Sequence, residues 1–175
     1  GKTAWLGLEL RHIPHWHTYW KNAGDSGLPT SFNWNLSAGA HAGDIHWPTP
    51  KKLPIGPLMN FGYDGTVLLP VPLHIDAPPT GDTLQVNLEA DWLVCKIECI
   101  PQSGTFTLDV PVARPTVTHA VAFQSTRDAS PYDVPDAAAR AQVSDNALQF
   151  RVRGLPRFTQ GHTASVFPEV AGVVD

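Results

Sequence analysis

The sequence predicts an all-β chain: an antiparallel β-sandwich followed by a C-terminal β-rich extension or truncated second β-domain. Three observations predict it. Apolar and aromatic residues alternate with period two in segment after segment. Seventeen prolines and fourteen glycines are scattered through 175 residues without a repeat, which marks many short turns. Helix signals are too few to interleave with the strands, as a parallel sheet would require.

The elements follow in order. Residues 4–10, AWLGLEL, put Leu6, Leu8 and Leu10 on one face. Residues 15–20, HWHTYW, put Trp16, Thr18 and Trp20 on one face and His15, His17 and Tyr19 on the other. Residues 31–36, SFNWNL, alternate Phe32, Trp34 and Leu36 with polar residues. Residues 83–94 alternate Leu84, Val86, Leu88 and Ala90, and residues 105–112 alternate Phe106, Leu108 and Val110. Between them lie turn-forming stretches, NAGDSGLP (22–29), GYDG (62–65) and APPTGD (77–82), where Gly permits positive φ and Pro presets φ. About seven or eight strands are expected between Trp5 and Val112. Near residues 114–118 the pattern changes. The best helix candidate is residues 133–143, DVPDAAARAQV, with Pro135 in a first turn and an alanine run behind it. Two further strands are expected at residues 147–155 and 163–170. The expected domains are 1–114, the sandwich, and 115–175, a linker plus a partial second β-domain that either packs onto the first or is cut short.

Charge and composition exclude several classes. A formal charge of −4 with no basic patch argues against nucleic-acid binding. No apolar run approaches the ~20 residues that a membrane-spanning helix needs. The chain opens on Gly1 without a signal-peptide pattern and reads as a mature or trimmed form, so its compartment is inferred from chemistry.

The chemistry-bearing stretch is DWLVCKIECIPQ, residues 91–102, which holds the only two cysteines, Cys95 and Cys99. On one extended strand their Cα atoms would stand roughly 13 Å apart, so a bond between them requires a tight turn. Three readings are open. A structural disulfide this local would stabilise the fold by only about 2 kcal/mol, because the closed loop is short. A zinc site needs four ligands, and the other pair would come from His12, His15 and His17; copper also suits imidazole and thiolate. A redox-active dithiol would exchange its disulfide with a visiting protein, one thiol attacking and the other resolving. Lys96 beside Cys95 favours thiolate and Glu98 beside Cys99 opposes it.

The string DWLVCKIECIPQ resembles the active-site segment of the amino-terminal periplasmic domain of the thiol:disulfide interchange protein DsbD family, especially its ScsB-like branch. WHTYWKNAGDSGLPTSFNW (16–34), IHWPTPKKLPIGPLMNFGYDGTVLLPV (45–71) and VFPEVAGVVD (166–175) resemble the same branch. The resemblance implies an immunoglobulin-like sandwich in the periplasm, part of an inner-membrane protein. It implies a protein-disulfide reductase domain that takes electrons from membrane-embedded or tethered thioredoxin-like domains of its own full-length chain. These pass to soluble thioredoxin-like proteins, with no cofactor beyond the redox-active disulfide and no resident metal. Cys99 would form the mixed disulfide and Cys95 would resolve it. A cap loop would correspond to residues 53–60 (Leu53, Pro54, Ile55, Gly56, Pro57, Leu58, Met59 and Asn60). This stretch lacks the family's aromatic lid, while Phe61 and Tyr63 lie just after it. Site-lining candidates are Tyr19, Phe61, Tyr63, Trp92, Lys96 and Glu98. Tyr19 and Trp92 also read as ordinary sheet packing, and GDSGLP (24–29) reads as a turn or as part of a docking surface. The alternatives are a non-enzymatic β-sandwich binding module with a structural disulfide, and a copper-handling domain related to copper tolerance.

Overall fold

The structure, a computed structural model, describes residues 2–77, 81–112, 118–144 and 147–172. Two compact units are distinguished, Gly1–Ser130 and Pro131–Asp175. In chain order the first contains β1 (Lys2–Arg11), β2 (His17–Gly24), β3 (Ser31–Leu36), β4 (Ala40–Ala42), β5 (Lys51–Ile55), β6 (Leu58–Asp64), β7 (Thr66–Ile75), β8 (Thr83–Cys95), β9 (Cys99–Pro111) and α1 (Ala120–Asp128). The second contains β10 (Ala138–Ser144), β11 (Ala147–Arg153) and a 3-10 turn at Arg157–Thr159.

The first unit is the expected immunoglobulin-like antiparallel sandwich. One sheet runs β1-β7-β4 and the other β3-β8-β2-β6-β5, with β9 on the remaining edge of β8. The even residues of β8, Leu84, Val86, Leu88 and Ala90, are buried, as their alternation requires. Leu73, Leu84 and Val86 form the centre of the inter-sheet core, with Leu6, Trp34 and Leu36 packed around them. Apolar burial of this kind is the main favourable contribution to folding.

β7 departs from simple alternation because both of its faces are buried. Its inner face carries Val67, Leu69, Val71 and Leu73, and its outer face Leu68, Pro70 and Pro72. The two prolines are tolerated because a residue's N and C=O point to the same edge of a strand. Pro70 and Pro72 turn theirs toward residues 43–46, where only their carbonyls are needed: His46 N donates to Pro70 O and Gly43 N to Pro72 O. The ladder to β1 keeps its donors.

The helix lies elsewhere than expected. Residues 133–143 form no helix; Ala138–Ser144 is β10, paired antiparallel with β11. The alternating partner strand overrides the modest helix preference of the alanine run. The observed helix, α1, is short and without a side-chain N-cap, so it carries little signal of its own. It sits on the outer face of the β1/β7 sheet: a β-carbon on Gly7 would meet the Phe123 ring at 3.2 Å, and Thr49 N donates to Ala129 O. The strand expected at residues 163–170 is also absent, and that stretch is irregular. The second unit therefore holds a two-stranded hairpin as its only sheet among the described residues. Its strands are mostly exposed, so it has little core.

β9 begins earlier than expected and is mostly exposed. Phe106 and Leu108 are 43% and 53% accessible, and only Val110 of its predicted apolar face packs on the central core. A strand at the sheet edge lies beyond the reach of the narrower facing sheet.

Candidate functional site

Cys95 ends β8 and Cys99 begins β9, and the two residues pair directly across the hairpin. Lys96, Ile97 and Glu98 make the turn, closed by Lys96 N donating to Glu98 O at 3.0 Å. The sulfurs are joined as a disulfide, with Cα atoms 4.1 Å apart. The tight turn required by the spacing is thus present. The two sulfurs are in different environments: Cys95 is 2% accessible, packed with Tyr19, Ala23 and Leu93, whereas Cys99 is exposed. Ile97, at the tip, is 93% accessible.

β2 brings a polar pair to the disulfide. His17 lies opposite Cys95 of β8 on one side and Asp64 of β6 on the other. Tyr19, one pleat along on the same face, places its hydroxyl 3.8 Å from the Cys99 Sγ. His17 Nε2 stands 3.2 Å from that hydroxyl, with the two rings edge-on. A disulfide sulfur carries no proton, so the Tyr19 hydroxyl donates to Cys99, and its oxygen accepts from His17 Nε2–H. Burial raises the Tyr19 pKa and keeps it a phenol. Burial also holds the His17 pKa below its ordinary value. A charge on His12 acts in the same direction and Asp64 opposes both. Hydrogen bonding to Lys51 leads the causes that lower the Asp64 pKa.

A loop covers the Tyr19 ring. Gly27, at φ 105°, lies so close that a β-carbon would stand 2.3 Å from the ring, so only glycine fits there. The loop is fastened to the start of β6: Asp25 N donates to Met59 O, Met59 N to the Asp25 carboxylate, and both Ser26 N and its hydroxyl to Asn60 Oδ1. Asn60 is 1% accessible, so its amide has an organising role inside the fold.

The predicted site residues separate into groups. Tyr19, Lys96 and Glu98 surround the disulfide. Residues 53–60, the cap-loop candidate, form the β5–β6 hairpin, turning at Gly56 and Pro57. Leu58 and Met59 there are 39% and 38% accessible. Tyr63 pairs with Thr18 and so points to the opposite face from His17 and Tyr19. It is buried, its hydroxyl donating to Pro48 O at 2.7 Å. Phe61, two residues before it on β6, is half-buried. Trp92 packs along the sheet, its ring against Gly104 and its Nε1–H bonded to Gln102.

The histidine cluster does not converge. His15 lies in a turn at φ 74° rather than on β2, so it does not share a strand face with His17. His12 spends one ring nitrogen on Gly65 O and the other on the Thr18 hydroxyl. Among the described residues no group of three or more His, Cys, Asp or Glu is placed to hold a metal ion. In the sequence His17 stands as a metal-ligand candidate on the face it shares with Tyr19, and its bond to the Tyr19 hydroxyl is the feature that only the structure adds. The HxY spacing on a strand was the available signal, since i and i+2 share a face.

Residues 1–111 match the family described as thiol:disulfide interchange protein DsbD, N-terminal. Among solved structures, the chain is similar to the N-terminal periplasmic domain of ScsB from Proteus mirabilis. The match has 22% identity and a TM-score of 0.65, covering 85% of this chain and 57% of that one. At that identity the likeness speaks to the fold, and the present chain spans little more than half of the other's length. No curated protein sequence matches.

Proposed function

The chain belongs to the family of amino-terminal domains of the thiol:disulfide interchange protein DsbD, and on that premise we propose that it is a periplasmic electron-relay domain acting as a protein-disulfide reductase. It receives electrons from membrane-embedded and thioredoxin-like domains of its full-length protein and passes them to soluble thioredoxin-like proteins. The observation that carries this reading is the asymmetry of the pair: an exposed Cys99 bonded to a Cys95 that is 2% accessible. A partner sulfur has access to the first and not to the second. No helix among the described residues is long and apolar enough to cross a membrane.

In the reduced domain the Cys99 thiolate attacks a partner disulfide. A Cys99–partner bond forms and one partner thiolate leaves. Cys95 then attacks the Cys99 sulfur, closing the disulfide seen here and releasing the second partner thiolate. Two electrons pass to the partner, and the two protons of the dithiol end on its thiols.

The test uses Cys95→Ala protein and an oxidised thioredoxin-like oxidoreductase. With no resolving thiol, a covalent adduct through Cys99 should accumulate, visible on a non-reducing gel and by mass. The rival, a binding module with a structural disulfide, predicts no adduct and slow thiol titration of the reduced wild-type protein. Finding both would overturn the proposal.

A further inference from the structure

We infer that His17 stores the proton that Cys99 must lose to react, with the Tyr19 hydroxyl as the relay between them. The inference rests on the exchange function proposed above and names residues for it. Its basis is the alignment His17 Nε2, Tyr19 Oη and Cys99 Sγ, at 3.2 and 3.8 Å, on one face of β2 beside the disulfide. His17 and Tyr19 are 6% and 1% accessible, so the chain of bonds is sheltered and ends at the one exposed sulfur.

The direction of this chain depends on redox state. In the disulfide form it runs N–H to O–H to S, as argued above. In the dithiol form Cys99 has a proton to give, and the order reverses: S–H toward Oη, and Oη–H toward an unprotonated Nε2. Ionisation then breaks the S–H bond and forms an O–H bond, while the original Oη–H proton passes to Nε2. The products are a thiolate, an unchanged phenol and an imidazolium. When the thiolate has attacked a partner disulfide, the departing partner thiolate takes up that proton. His17 is thereby a base acting through Tyr19, the one of the two that touches the reacting sulfur.

The groups around His17 suit a reversible store. Asp64 faces it from β6, itself paired with Lys51 of β5. His12 approaches from the preceding turn, bonded to Thr18 and Gly65. Cys95 faces it from β8. Burial and His12 oppose the imidazolium, whereas the Asp64 carboxylate favours it.

The experiment measures Cys99 alone, in full-length Cys95→Ala chain, by iodoacetamide alkylation rate and thiolate absorbance across acid to alkaline pH. Tyr19→Phe and His17→Gln are added singly and together. Each single change should raise the thiol pKa and slow alkylation at neutral pH about tenfold, one pKa unit. The double variant should match the slower single one, because both residues lie on one path. Urea midpoints and far-ultraviolet circular dichroism check folding, and Tyr19→Phe, which removes one oxygen, serves if His17→Gln is misfolded. Superimposable pH profiles, or effects that add in the double variant, would overturn the relay. An adduct with the thioredoxin-like protein alongside unchanged profiles sinks the relay and leaves the exchange function standing. Shifted profiles with no adduct and slow thiol titration of the reduced wild-type protein sink the exchange function and leave the proton path standing.

Discussion

At Gly27 the backbone runs at φ 105° with the Tyr19 ring where a side chain would begin. Alanine there must both adopt a left-handed conformation and displace a buried aromatic. Gly27→Ala should therefore cost about 1–3 kcal/mol in urea unfolding, the range for backbone strain of this kind. It should also lengthen the contact between Tyr19 and Cys99. The His17 imidazole sets a pH dependence of its own. Its folded pKa lies below the ordinary histidine value. Between the folded and unfolded pKa values the unfolded chain binds more protons, so stability falls as pH drops below about 6.5. Asp64, whose pKa is depressed, contributes the same sign only in the carboxylate range, well below that window. The urea midpoint of His17→Gln should vary less with pH than that of the wild type between neutral and mildly acid conditions. Equal slopes would mean that His17 titrates alike in both states. Cys95 and Cys99 were legible because nothing else in the chain resembles them. The Tyr19–His17 alignment was only half legible, since period two gives the shared face but not the neighbour across the sheet.

The elements that announced themselves were those with one wet and one dry face: β1, β3 and β8 match their alternation. β7 was hidden by the opposite circumstance. Buried on both sides, its Val67–Leu73 run shows no alternation, and only the bonds from residues 43–46 show where the missing donors of Pro70 and Pro72 would point. β10 was masked by an alanine run whose helix preference the β11 partner outweighs. The clamp between residues 25–26 and 59–60 joins positions far apart in sequence, and neither half signals the other. Asn60→Ala removes the acceptor of both Ser26 bonds and leaves those groups to find new partners, at a cost of about 1–3 kcal/mol. If the covering loop limits access to the disulfide, reduction by dithiothreitol should also accelerate in this variant, and more so than its loss of global stability explains. A rate unchanged beyond that loss would confine the clamp to folding.

For the whole molecule, the boundary of the redox unit decides what is stable alone. The sequence placed it at residue 114, where the apolar alternation ends. The compact unit instead runs to Ser130 and includes α1. The physical reason lies on the outer face of the β1/β7 sheet. Leu68 is only 8% accessible there, with Gly7 and Phe123 as neighbours, and Thr49 N is satisfied by Ala129 O at the helix end. Removing α1 uncovers that apolar surface and leaves a donor without its partner. A chain ending at residue 130 should therefore unfold cooperatively with a urea midpoint close to that of the full chain's redox unit. One ending at residue 114 should lose about 2–4 kcal/mol, from one large apolar side chain's burial and one hydrogen bond. Both should retain the disulfide, because the β8–β9 hairpin and β2 lie entirely before residue 114. Equal midpoints for the two truncations would show that α1 merely rests on the sheet, and would return the boundary to the position read from the sequence.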